Sequence, residues 1–168
     1  PGQPLNAQVG MRRRLARELR RVGQLDDSIA LFEEALSIGG TAAAEGLILE
    51  VKRDLALSHL LLAEDENCVD THGPLACSLP IAPEAVHARP EHARRAGDLL
   101  RDFLVQRPDN LEARWLLNFS RMITGDFPGD IPETLRLANE AWASDEPFER
   151  WPDRATLLGV DAFDLAGG

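Results

Sequence analysis

Apolar residues recur at helical spacing along most of this chain, and the pattern breaks at glycines and prolines so as to outline paired helices. In the first pair, Leu15, Ala16 and Leu19 form one stripe and Ile29, Phe32, Ala35 and Leu36 form the next. Gly23-Gln24-Leu25-Asp26 lies between them as a tight turn, with Gly23 ending the first helix and Asp26 or Asp27 capping the second. A longer pattern runs from Ala42 to Ala63 through Leu47, Ile48, Val51, Leu55, Leu57, Leu60, Leu61 and Leu62. Its partner does not follow at once. An insertion rich in Pro, Cys and His fills 64–89, and the missing helix resumes in RPEHARRAGDLLRDFLVQRPDN, stopped by Pro108. A third pair starts at Asn110, with Leu111, Trp115, Leu116, Phe119, Met122 and Ile123 apolar and Gly125-Asp126-Phe127 as the turn. Pro128 and Pro132 disturb the start of its second helix, expected over Glu133 to Ala143.

These elements predict an all-α fold over 9–143, with residues 1–8 as a flexible start and 144–168 as an extended, irregular tail leading towards a further domain. Leu15, Ala16, Leu19, Gly23, Leu25, Phe32 and Ala35 resemble the tetratricopeptide repeat. Ser28 stands where that family prefers Ala, and Arg12 where it often has Trp. Leu55 and Ala56 fit the Leu and small positions of a second unit, with His59 in place of an aromatic. Ala96, Leu100, Phe103 and Pro108 fall where the family has Ala, a large apolar residue, Ala and the closing Pro. The resemblance implies about three helical hairpins wound into a short right-handed superhelix, binding a partner on the concave face made by the first helix of each pair.

A wider resemblance covers about residues 45 to 168. Glu66-Asn67-Cys68, His72, Ala76 to Ile81, Val86-His87, Asn110 to Asn118 and the ending from Leu158 to Gly168 look like the repeat region preceding FG-GAP/VCBS β-propellers in bacterial ASPIC/UnbV (cartilage acidic protein-like) proteins. It implies architecture rather than activity, and one role it leaves open is a structural cap on a C-terminal propeller. Nothing here matches the propeller's calcium ligands.

Charge sharpens the binding expectation. The net charge is −10, yet Met11 to Arg21 holds six Arg and one Glu. An acidic chain with one basic helix repels phosphate backbones overall, which argues against nucleic acid and for a protein partner or acidic peptide, or the following domain of the same polypeptide. Lys52 is the sole lysine, and Arg suits two-pronged carboxylate recognition better than Lys. Repeat register places Arg13, Arg17, Arg20 and Arg21 on the groove in the first unit, Glu50, Arg53 and Leu57 in the second, and Trp115, Phe119 and Met122 in the third. The opposing reading makes the arginines a solvated face and buries Trp115 and Phe119 under the chain's own tail. No apolar run approaches the ~20 residues of a membrane span.

Cys68, His72, Cys77 and His87 form a C-x3-H-x4-C-x9-H series. Three arrangements are open: a Cys68–Cys77 disulfide, two reduced thiols, or a zinc or copper site using all four residues. The series lacks the close C-x2-C pairing of common zinc sites. The propeller-associated resemblance favours the disulfide and an extracytoplasmic, periplasmic or secreted location, because such proteins are often exported. His59 reads as a packed core histidine and His92 as exposed. No glycine-rich phosphate loop, nucleophile elbow or H-E-x-x-H is present, and Glu33-Glu34 and Asp26-Asp27 read as solvated pairs, so the expectation is a non-catalytic module without cofactor, the alternative being a zinc- or copper-binding accessory domain of a biosynthetic or redox protein.

Overall fold

The computed structural model describes residues 2–68, 79–142 and 154–159, and among these it is all-helical, with no strand. Five helices follow in series: α1 (Leu5–Arg21), α2 (Leu25–Gly39), α3 (Glu45–Cys68), α4 (Glu91–Gln106) and α5 (Leu111–Ile123). A single turn, α6 (Ala155–Leu158), lies in the tail. Each of the five packs on the next, and α1 also packs on α3. Neighbours run antiparallel. Arg12 meets Glu34, while Ser28 of α2 donates to the Ala16 carbonyl of α1. The α1–α3 pair runs parallel, since Arg13 reaches Glu50 and Asp54, and Asn6 accepts from the Ala44 amide before α3.

The glycines end helices as the pattern predicts. Gly23 sits at φ 79° and Gly125 at φ 74°, in the left-handed region where a side chain would be strained. After α1, the Gln24 amide donates to the Leu19 carbonyl and the Gly23 amide to that of Arg20; after α5, Asp126 and Gly125 donate to Arg121 and Met122. Both are Schellman closures, satisfying the last carbonyls of a helix. Asn110 caps α5, its Oδ1 accepting from the Ala113 amide at 2.8 Å. At α2 the expected side-chain cap is absent: Gln24 holds the cap position, and Asp26 and Asp27 lie inside the first turn, where their charge favours the helix dipole.

The core runs through the whole stack, from Val9 and Phe32 through Leu55 and Leu100 to Leu117 and Ile123. Ser28 is wholly buried there, and its hydroxyl also meets that of Ser58 at 2.9 Å, joining α1, α2 and α3.

Three boundaries differ from the sequence expectation. Helix α1 begins at Leu5, inside the stretch expected to be flexible. Helix α3 continues to Cys68, so the insertion opens as helix. The helix expected over Glu133 to Ala143 is replaced by two 3-10 turns, Glu133–Leu135 and Asn139–Trp142. The reason is local: Pro132 precedes the first turn, and α5 takes up the backbone groups that a helix would have used. Asn118 Nδ2 donates to the Leu135 carbonyl at 2.9 Å and its Oδ1 accepts from the Leu137 amide at 2.9 Å. Arg114 donates to the carbonyls of Leu135 and Arg136. Ile131 and Leu135 then fill the core in place of a helix face.

Candidate functional site

A row of ion pairs crosses three helices and defines one face. Arg13 Nε lies 2.7 Å from Asp54 Oδ2, and Arg13 Nη2 lies 3.1 Å from Glu50 Oε2. Arg53, one turn along α3 from Glu50, is 3.3 Å from it and 3.7 Å from Glu112 on α5. So α1, α3 and α5 present their sides together. Trp115 and Phe119 stand three and seven residues beyond Glu112, on the same side of α5.

The four arginines of α1 divide in role. Arg13 and Arg20 converge on Asp54, a carboxylate only 1% exposed, and Arg20 also donates to the Asp54 main-chain carbonyl at 2.8 Å. Burial pulls the Arg20 guanidinium below its ordinary range; Asp54 opposes the shift, while Arg17, Arg53 and Arg13 reinforce it. Arg21 is exposed and paired with Glu18 on its own helix at 3.2 Å. Arg17 and Arg14 are exposed and have no ion-pair partner among the described residues. They border a notch of about 330 Å³ floored by Ala7, Gly10 and Leu47, with Arg13 at its inner edge. Gly10 leaves open space above it, so a chain can approach the α1 backbone closely there.

At the other end of the face, Trp115 and Phe119 lie nearly parallel with ring centroids 5.3 Å apart, and Trp115 remains 41% exposed. Trp142, from the last 3-10 turn, leans on Trp115 at 6.0 Å. Met122 does not belong here. It is 4% exposed and lines a recess with Pro80, Ile81, Val86 and Phe127, because the segment before α4 folds over that side of α5. A larger cleft of about 520 Å³ lies beside the α2–α3 turn, but its one lysine, Lys52, faces Asp102 at 3.7 Å and no set of unpaired charges converges in it.

The Cys/His series is only partly within view. His72, Cys77 and the Cys68 side chain lie outside the described residues, so neither the disulfide nor the four-residue metal set has a described geometry. His87 holds structure: its amide donates to the Ile123 carbonyl at 2.8 Å, and its ring lies 3.6 Å from Glu64. Burial lowers its pKa, and Glu64 opposes that shift. Among the described residues no three His, Cys, Asp or Glu side chains are grouped to hold a metal ion, and no helix is long and apolar enough to cross a membrane.

Three polar devices had no place in the sequence expectation. Asp54 anchors the arginine row. Asn67, 1% exposed near the end of α3, donates to the Arg89 carbonyl at 3.0 Å and accepts from the Arg89 amide at 2.9 Å. It grips the segment before α4 as Asn118 grips the segment after α5. For Asn118 the signal was a single amide within an apolar helical stretch; Asn67, which follows Glu64-Asp65-Glu66, gives no such signal. The third is a histidine pair: His59 Nδ1 and His92 Nδ1 are 2.8 Å apart, joining α3 to α4. Nothing in their spacing announces that contact across the insertion.

Compared with known proteins, the chain matches no family model, no curated protein and no solved structure.

Proposed function

We propose that this chain is a non-catalytic, tetratricopeptide-like binding module that takes an acidic protein segment on the face shared by α1, α3 and α5. The supporting observation is the division of the α1 arginines. Arg13 and Arg20 are neutralised from within by Asp54 and Glu50, whereas Arg14 and Arg17 stand exposed beside the notch. Unpaired guanidiniums favour carboxylates, which they bind through charge-assisted, often two-pronged bonds. The exposed Trp115, on the same face, suits an apolar anchor of the same ligand. The antiparallel helix order, with α1 parallel to α3, supports the repeat reading. The occupant is a separate protein or another part of the same polypeptide.

Fluorescence anisotropy with a labelled Asp/Glu-rich peptide carrying one aromatic residue tests this reading. Replacing Arg14 and Arg17 together with Glu is expected to weaken binding at least about tenfold and to flatten its salt dependence. Far-UV circular dichroism is expected to stay unchanged, because both side chains are exposed. An affinity unaltered by the double substitution removes the notch from the site.

A further inference from the structure

The contact between His59 and His92 has an unusual geometry. Their ring centroids are 5.1 Å apart and their planes differ by 28°, while the two Nδ1 atoms are only 2.8 Å apart. The centroid separation exceeds the nitrogen separation by about two ring radii. The rings therefore meet edge to edge along one hydrogen bond rather than face to face. His59 is 5% exposed, and its Nε2 is buried with no hydrogen-bond partner among the described residues.

These facts fix the tautomers. A buried N–H without an acceptor costs more than a bare ring nitrogen whose lone pair goes unused. His59 therefore carries its proton on Nδ1 and donates to His92 Nδ1. His92 carries its own on Nε2, which faces Glu66 at 3.9 Å. In this arrangement one further proton cannot be accommodated quietly. Placed on His92 Nδ1, it sets two N–H groups against each other across 2.8 Å. Placed on His59 Nε2, it leaves a buried N–H without an acceptor, whichever ring of the hydrogen-bonded pair then carries the charge.

The charged surroundings point the same way. From α4, His92 and Arg95 face His59, and the start of α4 adds the positive end of a helix dipole. On α3, Glu66 faces His92 Nε2 at 3.9 Å, on the far side of that ring from His59 Nδ1. Burial, then His92, then Arg95 hold the His59 pKa down at about 4, from 6.5.

We propose that the His59–His92 bond is an acid-sensitive latch: it holds the first turn of α4 to α3 while both rings are neutral and releases that turn when a proton is added. The turn it releases also follows the segment gripped by Asn67, so the seam between α3 and α4 loosens at that end and stays closed at the other.

Amide hydrogen exchange on the intact chain tests the latch, with rates corrected for intrinsic pH dependence. Between about pH 7 and pH 5, protection of the first hydrogen-bonded amides of α4, residues 94–96, is expected to fall about tenfold more than in α2, the equivalent of one lost hydrogen bond. His59→Gln, which keeps a polar side chain at the seam but removes the buried imidazole, is expected to abolish that difference. A fall equal to that of α2, or one unchanged in His59→Gln, overturns the proposal. If His59→Gln does not fold, the imidazole nitrogen spectrum of the native protein decides. Near neutral pH one Nδ1–H tautomer at His59 and one Nε2–H tautomer at His92 are expected, and a mixture at either ring contradicts the latch.

Discussion

Replacing Arg13 with Met probes the centre of the arginine row. Met keeps an apolar stem of similar length and removes the guanidinium. The loss has two parts. The 2.7 Å bond to Asp54 is charge-assisted and ends on a carboxylate that is 1% exposed, which is worth about 1.5–3 kcal/mol. The 3.1 Å bond to Glu50, itself 39% exposed, adds about 0.5 kcal/mol or less. Stripping a buried charge of all its partners costs about 3–5 kcal/mol. That limit is not reached, because Arg20 and Arg53 stay near Asp54 at 3.9 and 3.7 Å. The expected destabilisation is therefore about 2–3 kcal/mol, read from urea unfolding followed by circular dichroism, with an unchanged denaturant slope. Arg17→Met, on the same helix but exposed, is expected to stay within about 0.5 kcal/mol of the native protein. Equal effects from the two substitutions would refute the division of the arginines into structural and free.

Other outcomes follow from the same packing. In Gly97→Ala the new Cβ lies 2.7 Å from Ser120 Oγ and 2.9 Å from Arg121 Cζ, both in buried residues, so those side chains or α4 itself must give way. Overpacking of about 1–3 kcal/mol, less the roughly 1 kcal/mol that Ala gains over Gly in a helix, leaves an expected net loss of up to about 2 kcal/mol in unfolding free energy. Asn118→Asp turns the donor that faces the Leu135 and Arg114 carbonyls into an acceptor, at a cost of about 3 kcal/mol or more, and limited proteolysis is expected to cut near 131–137. For His59, whose pKa is about 4 folded and 6.5 otherwise, the unfolded chain binds more protons between those values. Its contribution is thus fully present above pH 6.5 and is lost as pH falls towards 4, by at most about 3 kcal/mol, and denaturant unfolding of His59→Gln is expected to show a flatter pH profile.

The helices were legible because their signals are local. Gly23 and Gly125 close α1 and α5 by the same hydrogen bonds, and the apolar spacing around Phe32, Leu55, Leu100 and Leu117 marks the buried faces. What the pattern could not reveal depends on contacts distant in sequence. Arg13 and Arg17 look alike along the chain, and only the approach of Asp54 from α3 separates them. The stretch 133–143 has helical composition, yet Asn118 and Arg114 hold the backbone of 135–137 in another course. Met122 has the spacing of a groove residue, but the 79–86 segment covers it. His59 and His92 meet across an insertion whose path no periodicity encodes.

Mapping the ligand contact by NMR tests the central claim most directly. The acidic, aromatic-bearing peptide is titrated into the labelled protein, and backbone amide and indole shifts are followed. Saturable changes are expected at Ala7, Gly10, Arg14, Arg17 and the Trp115 indole, with little change along the outer side of α2. Shifts confined to the surroundings of His87, or none on the α1–α3–α5 face at millimolar peptide, would contradict it.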